Sequence, residues 1–308
     1  MLFERALRSV LDQSFDAIEV VVVVDGSSEE HLVAYHELEA RYTRSNFQYL
    51  VHQPNGHGQS YSMNCGVRAS SGQYLCFLDD DDSWTDNHYL ERAHRSITSF
   101  AQAVDMHYSN QKAFFADGTA QTDLVWLEDL IPQTAEFPAN ENDTFVVDAE
   151  FMMRSGGFGH LNCSIFRREF YLDIQGMDES IRYENDRDVF IRSVDGARTI
   201  LFSTHYVSRH NIPDSAKKEN MSTVASDTDK KLFQIRVYDK GISNSTQPAV
   251  LAHCRKGKVY ELKHLTQILA ARGDYTRAAH YAREALLNGF NPRWLGYTVY
   301  ICTKSLLR

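Results

Sequence analysis

Four consecutive carboxylates, Asp79-Asp80-Asp81-Asp82, follow at once on a short apolar run, 74–78, which Gly72 bounds on its other side. A run of that length between turn residues reads as a buried strand, so the acids sit at its carboxyl end. In an open α/β sheet ligands bind at that end, and carboxylate oxygens are hard ligands for Mg2+ or Mn2+, which in turn can hold a diphosphate. Taken alone, four acids more often form a solvated turn capping a helix, here one starting near Asp86. The buried strand before them reverses that preference. A second acid is placed in the same way: Asp25 ends the β-branched run 18–24 and precedes Gly26-Ser27-Ser28. A turn or helix-capping acid is the plain alternative there, and shared placement beside one crevice weakens it. The third centre is Tyr183-Glu184-Asn185-Asp186-Arg187-Asp188. It puts Asp186 in the first turn of a helix, where a carboxylate meets the helix dipole and a cap explains it equally well.

The elements that must position these acids alternate. Helical spacing covers 2–13, a strand 18–24, a helix 29–44, a strand 47–52 and a helix 59–69, just before the acidic strand. The fold class is therefore α/β, a doubly wound, mostly parallel sheet. Gly56 and Gly58 resemble a phosphate-cradling loop, but a lone glycine pair is a weak signal and a simple connection explains it better. An amphipathic helix is expected at 87–101. Two strands, 104–115 and 122–130, are expected around the turn Asp117-Gly118 as a small antiparallel part, with a loop at 132–143. The strand 197–207 leads into Ser208-Arg209-His210. A polar, aperiodic linker, 215–229, then separates domain 1–214 from a helical region, 230–308. Within that region 259–272 and 275–287 resemble one tetratricopeptide-like helix pair, and 292–307 is a final apolar helix suited by default to packing on that pair, or else to a dimer face or a membrane surface, the helices together offering a face for a protein partner.

Composition sets the bounds. The chain has 308 residues, a formal charge of −9 and 43% hydrophobic residues, enough for a large α/β domain and an appendage. Its acidity argues against binding nucleic acid through phosphates, so a phosphate-bearing ligand needs a metal bridge. Five cysteines, Cys65, Cys76, Cys163, Cys254 and Cys302, form no CxxC pair. Reduced thiols point to the cytoplasm, with peripheral attachment at the inner membrane face as an option. No apolar run is long enough to cross a bilayer, and the first residues lack the apolar segment of a signal peptide.

Together, Val24-Asp25-Gly-Ser-Ser28, Asn55-Gly-His-Gly-Gln-Ser60, Asn64-Cys-Gly66 and Gly72-Gln-Tyr-Leu-Cys-Phe-Leu-Asp-Asp-Asp-Asp-Ser-Trp84 resemble the bacterial family 2 glycosyltransferases over about 2–213. The resemblance implies a GT-A fold, transfer of a sugar with inversion from a nucleotide sugar donor to a glycan or lipid-linked acceptor, and Mn2+ or Mg2+ at a DxD motif. It implies a role in surface-polysaccharide assembly. By motif position Asp25 contacts the donor base, Asp79 the ribose side and Asp81 the metal. Asp80 and Asp82 can take either role, because four acids in a row leave the register open. The family's acid pair falls on Asn185-Asp186, which makes Asp186 the general base that takes the acceptor hydroxyl's proton, with Glu184 an outside candidate. His210 stands where such enzymes bring a histidine to the metal or diphosphate, a loop histidine in solvent being equally good. His160 faces the acceptor or, better, is a hydrogen-bonded structural histidine.

Two departures carry expectations. The family begins with a strand and a Pro-Thr-Tyr-Asn-like loop that this chain lacks, so Met1 is expected not to be the natural start, or the gene to be truncated. A strand-wide gap, or some other segment, is expected between strands 18–24 and 74–78. Met63 stands where the family often has Arg. The competing reading is a catalytically impaired relic that binds a partner through its helical tail; a sugar nucleotidyltransferase ranks third, lacking the opening Gly-rich loop.

Overall fold

The computed structural model describes residues 2–51, 56–138, 142–213 and 221–307. Two compact units divide it, Met1–Ile212 and Pro213–Arg308.

In the first unit, α1 (Leu2–Leu11), β1 (Val20–Val24), α2 (Glu29–Arg41), β2 (Ser45–Tyr49), α3 (Gln59–Ala69) and β3 (Tyr74–Cys76) follow the expected alternation. β4 (Ser83–Trp84), α4 (Tyr89–Thr98), β5 (Met106–Phe114), β6 (Thr144–Val147), α5 (Ala149–Met152), β7 (Ser164–Arg167), α6 (Arg168–Asp173), α7 (Asn185–Gly196) and β8 (Ile200–Asn211) complete it. β1 and β2 form a parallel pair. A six-stranded sheet runs β3-β7-β5-β8-β4, with β6 on β8. Its longest ladder, β5–β8, is parallel, and its other pairs are antiparallel. The fold class is thus α/β. α4 shows why these segments settle as they do: Tyr89, Leu90, Ala93 and Ile97 share one face and are buried with Trp84, Ile165, Leu201 and Val207 on the sheet.

Among the described residues no ladder joins β1 to β3. Instead Glu19, just before β1, accepts from Ser71 N and Oγ at 2.7 and 3.0 Å, just before β3.

The expected strand at 122–130 does not form. The Glu128 carboxylate accepts the backbone N–H groups of Val125 and Trp126 at 3.2 and 3.0 Å, which folds the chain over and starts a 3-10 helix, Glu128–Glu136, where a loop was expected. Of the hairpin there remain the isolated bridge Phe114–Ala120 and a tight turn in which Phe115 N donates to Thr119 O and Gln121 N to Ala113 O, both at 2.9 Å.

The second unit holds α8 (Met221–Val224), α9 (Asp227–Asn244), α10 (Pro248–Ala271), α11 (Tyr275–Asn288) and α12 (Pro292–Leu306). The expected linker, 215–229, is therefore helical in part: Ser226 caps α9 by accepting from Asp229 N. Its residues 215–220 lie outside the described residues. Ala278, Ala279, Ala282 and Ala285 are buried against Leu262, Leu265 and Leu269, the close packing that small residues allow between α10 and α11. Among the described residues no helix is long and apolar enough to cross a membrane.

Candidate active site

The four acids leave β3 in a tight turn, Asp82 N donating to Asp79 O at 3.2 Å, so they do not alternate as on a strand. Asn162 holds this turn. Its Oδ1 accepts from Asp79 N at 3.0 Å, its Nδ2 donates to Asp82 Oδ2, and its carbonyl accepts from Trp84 Nε1 at 2.7 Å. Asp82 is fully buried, and its carboxylate also accepts from His210 Nδ1 and Asn211 N, both at 2.7 Å. Burial works against a charged His210, but the hydrogen bond to Asp82 and the charges of Asp82, Asp79 and Asp81 raise its pKa.

Asp79 and Asp81 are the strained pair. Burial, then Asp82 and Asp81, push Asp79 up to about 8. Burial, then Asp82 and Asp80, push Asp81 up to about 6. Asp80 is raised by burial too, yet its side chain lies at the exposed edge of the turn. Among the described residues no three His, Cys, Asp or Glu side chains form a ready-made metal cage. A divalent cation bound through one or two carboxylates plus substrate phosphates needs no such cage. The two carboxyls, raised first by burial and then by the neighbouring carboxylates of the turn, are hard oxygen donors that fit Mg2+ or Mn2+.

Asp186 reaches the same place from the other side. It lies in the first turn of α7, whose cap, Glu184, adopts the left-handed conformation at φ 64°. Burial, then the charge of Glu184, raise Asp186 to about 6, while Arg187 opposes them. Between the two acid centres stands His160, 8% exposed, with Nε2 at 3.9 Å from Asp79 Oδ2 and 3.7 Å from Asp186 Oδ2. Its Nδ1 accepts from Asn162 N at 3.2 Å, which assigns the proton to Nε2. Burial, then His210, push its pKa down to about 3, so a neutral N–H donor faces both carboxylates.

A second tie runs through side-chain amides. Asn185 Nδ2 donates to Gln59 Oε1 at 3.1 Å and to Ser60 Oγ at 3.3 Å, and Gln59 Nε2 donates to Asp79 Oδ1 at 2.8 Å. The start of α7 is thereby fastened to the start of α3.

Asp25 organises the glycine loop. It accepts from His57 N at 2.8 Å, His57 Nδ1 at 2.7 Å, Gly58 N at 2.9 Å and Ser62 Oγ at 3.0 Å. Burial penalises its charge, but the His57, Gly58 and Ser62 donors outweigh that and hold the carboxyl below its usual range. The loop expected to be a plain connection is thus moulded on an acid expected to face the donor base. Gly58 sits at φ +101°, a conformation that favours glycine, with the Arg182 guanidinium packed on it. Residues 52–55, the start of that loop, lie outside the described residues.

The structure thus brings Asp79, Asp81, Asp82, His210 and Asp186 to one place through His160 and Asn162. His160 was read as a hydrogen-bonded structural histidine or one facing the acceptor, whereas the part of Asn162 was not legible, because an asparagine in a buried segment gives no periodic signal. Trp126 is also part of the site, its ring 5.3 Å from that of His210 and 5.9 Å from that of His160; it was read as a strand residue.

Comparison with known proteins bears on the fold and the family. Solved structures share the fold at low identity. Staphylococcus aureus TarS in complex with UDP-GlcNAc superposes with a TM-score of 0.65 at 14% identity, over 98% of this chain and 84% of that one. Mannosyltransferase PcManGT from Pyrobaculum calidifontis, in complex with GDP-Man and Mn2+, does so with a TM-score of 0.56 at 15% identity, over 99% and 82%. The fold is of the GT-A type. Succinoglycan biosynthesis protein ExoW of Rhizobium meliloti is 26% identical over 195 residues, 59% of this chain and 54% of ExoW. Other curated glycosyltransferases match over 26 to 36% of this chain and 11 to 30% of their own length, so the chain spans well under two thirds of these relatives. The sequence pattern of Glycosyl transferase family 2 matches residues 2–170, and the chain belongs to that family.

Proposed function

We propose that the first unit transfers a sugar, with inversion, from a nucleotide diphosphate sugar to a hydroxyl of a glycan or lipid-linked acceptor, in surface-polysaccharide assembly. The observation that carries this reading is His160 Nε2, within 4 Å of both Asp79 and Asp186, because one reaction needs a donor-holding acid and a base side by side. Relatives and neighbours named for succinoglycan biosynthesis and for UDP-GlcNAc and GDP-Man complexes support it.

Asp186 takes the acceptor hydroxyl's proton as that oxygen bonds to the anomeric carbon, while the carbon–oxygen bond to the diphosphate breaks. Asp79 and Asp81 would hold Mn2+ or Mg2+, whose charge stabilises the departing diphosphate. The His210 imidazolium adds positive charge on the same side, and Asp82 and Asn162 hold it there. His160, its neutral Nε2–H 3.7 Å from Asp186 and 3.9 Å from Asp79, stands between the two carboxylates and separates the base from the donor-holding acid. Asp80, at the exposed edge, and Asp25, through the loop it moulds, belong to the donor's nucleotide end.

The test uses the purified chain with a panel of nucleotide sugars, following donor hydrolysis and transfer. Asp81→Asn and EDTA should each abolish both reactions, with the fold unchanged. Full activity in EDTA would sink the metal assignment. Absence of any metal-dependent nucleotide affinity would favour the partner-binding relic.

A further inference from the structure

Two of the three tryptophans have their indole N–H accounted for. Trp84 Nε1 donates to Asn162 O at 2.7 Å and Trp294 Nε1 to Ala282 O at 3.0 Å. Trp126 is 5% exposed, and its buried Nε1 has no acceptor among the described residues. A buried donor without a partner costs free energy, so one that is retained asks what supplies its acceptor.

Its surroundings narrow the answer. The indole stands edge-to-face against His210 and His160, with interplanar angles of 77° and 80°. His160 in turn stands 3.7 Å from Asp186 and 3.9 Å from Asp79, so the indole packs directly behind the histidine that separates the two acid centres. The placement is built in several ways. Glu128 fixes the backbone on one side, and Ser155 Oγ donates to Trp126 O at 3.2 Å on the other. Gly157 passes so close that an added Cβ would lie 1.9 Å from Trp126 O. The ligand's charge can also be argued. Diphosphate charge calls for cationic partners, whereas an uncharged N–H matches an uncharged hydroxyl.

We propose that Trp126 Nε1–H is a recognition group for the transferred sugar, donating a hydrogen bond to a pyranose hydroxyl of the nucleotide sugar. The inference rests on the transferase reading and deepens it, assigning a sugar contact that none of the carboxylates supplies.

The experiment uses the full chain labelled with 15N-tryptophan, which gives three indole signals, Trp126→Phe assigning the one in question. UDP-glucose, UDP-galactose, UDP-GlcNAc, GDP-mannose and dTDP-rhamnose are titrated with Mg2+, which does not broaden signals as Mn2+ does. UDP, GDP and dTDP serve as controls, and calorimetry reports binding independently. The Trp126 indole proton should shift downfield and exchange with solvent more slowly with the bound nucleotide sugar but not with its nucleotide. Trp126→Phe should weaken that nucleotide sugar about fivefold, leave the nucleotide's affinity unchanged, and leave the Trp84 and Trp294 signals in place. Binding seen by calorimetry with the Trp126 signal unmoved overturns the assignment and spares the transferase reading. So does a Trp126→Phe variant that weakens sugar nucleotide and nucleotide equally. If none of the nucleotides or nucleotide sugars binds, the transferase reading fails and the inference falls with it.

Discussion

Asp82 separates two ways of reading the acidic turn, and Asp82→Asn tests them against each other. If Asp82 ligates the metal, the substitution should cost metal affinity and little stability. If it is a buried positioning acid, the reverse holds. Asp82 is fully buried and accepts from Asn162 Nδ2, His210 Nδ1 and Asn211 N. An asparagine has one acceptor oxygen for these three donors, so its amide must face at least one N–H, and the His210 imidazolium loses its counter-charge. Breaking a buried ion pair costs about 3–5 kcal/mol, a large fraction of the roughly 5–15 kcal/mol that holds a domain folded. For a unit of this size that corresponds to a fall in melting temperature of about 6–20 °C. Calorimetric unfolding of the full chain, with the two units' transitions separated, measures the effect, and Mn2+ titration of the folded variant measures the other arm. The expected result is a lower first-unit transition with Mn2+ affinity within a few-fold of the parent. An unchanged transition with Mn2+ affinity lost would refute the positioning role and return Asp82 to the metal.

Three further outcomes are expected. Asp186→Asn should lower turnover by about 10²–10⁴-fold while calorimetry shows donor affinity retained; loss of donor affinity would instead place Asp186 in the donor site. Because burial and Glu184 raise Asp186 to about 6, and only the charged form accepts a proton, turnover should fall as pH drops through about 6. Glu184→Gln removes the raising charge and should move that limb of the pH–rate profile to lower pH; a limb that stays put removes Glu184 as the cause. Gly157→Ala puts a Cβ 1.9 Å from Trp126 O and 2.5 Å from Val125 O, backbone atoms that cannot rotate away. It should cost about 1–3 kcal/mol in urea unfolding and weaken nucleotide sugar binding, and a variant as stable as the parent would show that the loop yields freely.

The acids were legible because strand ends announce themselves: the apolar runs stop abruptly at Asp25 and Asp79, and α3 begins and ends where its pattern does. What each acid does was not legible, since it depends on partners far along the chain. Asn162 lies 83 residues from Asp79 and His210 128 residues from Asp82, and no local spacing encodes such pairs. The tight turn from Asp79 to Asp82 also removes the two-residue alternation from which a metal register is counted on a strand. At 122–130 composition misled for a local reason. The β-branched and aromatic residues suit a strand, but Glu128 captures the N–H groups of Val125 and Trp126 that a ladder would need.

Asn185 shows how such a departure is absorbed. The acid pair expected there has an amide as its first member, and the amide acts as a donor where a carboxylate could only accept. Through Gln59 it reaches Asp79, and through Ser60 the start of α3. A carboxylate at position 185 would face Gln59 Oε1 without a proton to offer. It would also add a charge beside Asp186, which Glu184 already raises, and near Asp79, which Asp81 and Asp82 already raise. With the amide, α7 is fixed to α3 by neutral groups, and in the reaction proposed above Asp186 remains the acid of that pair with the task of accepting a proton.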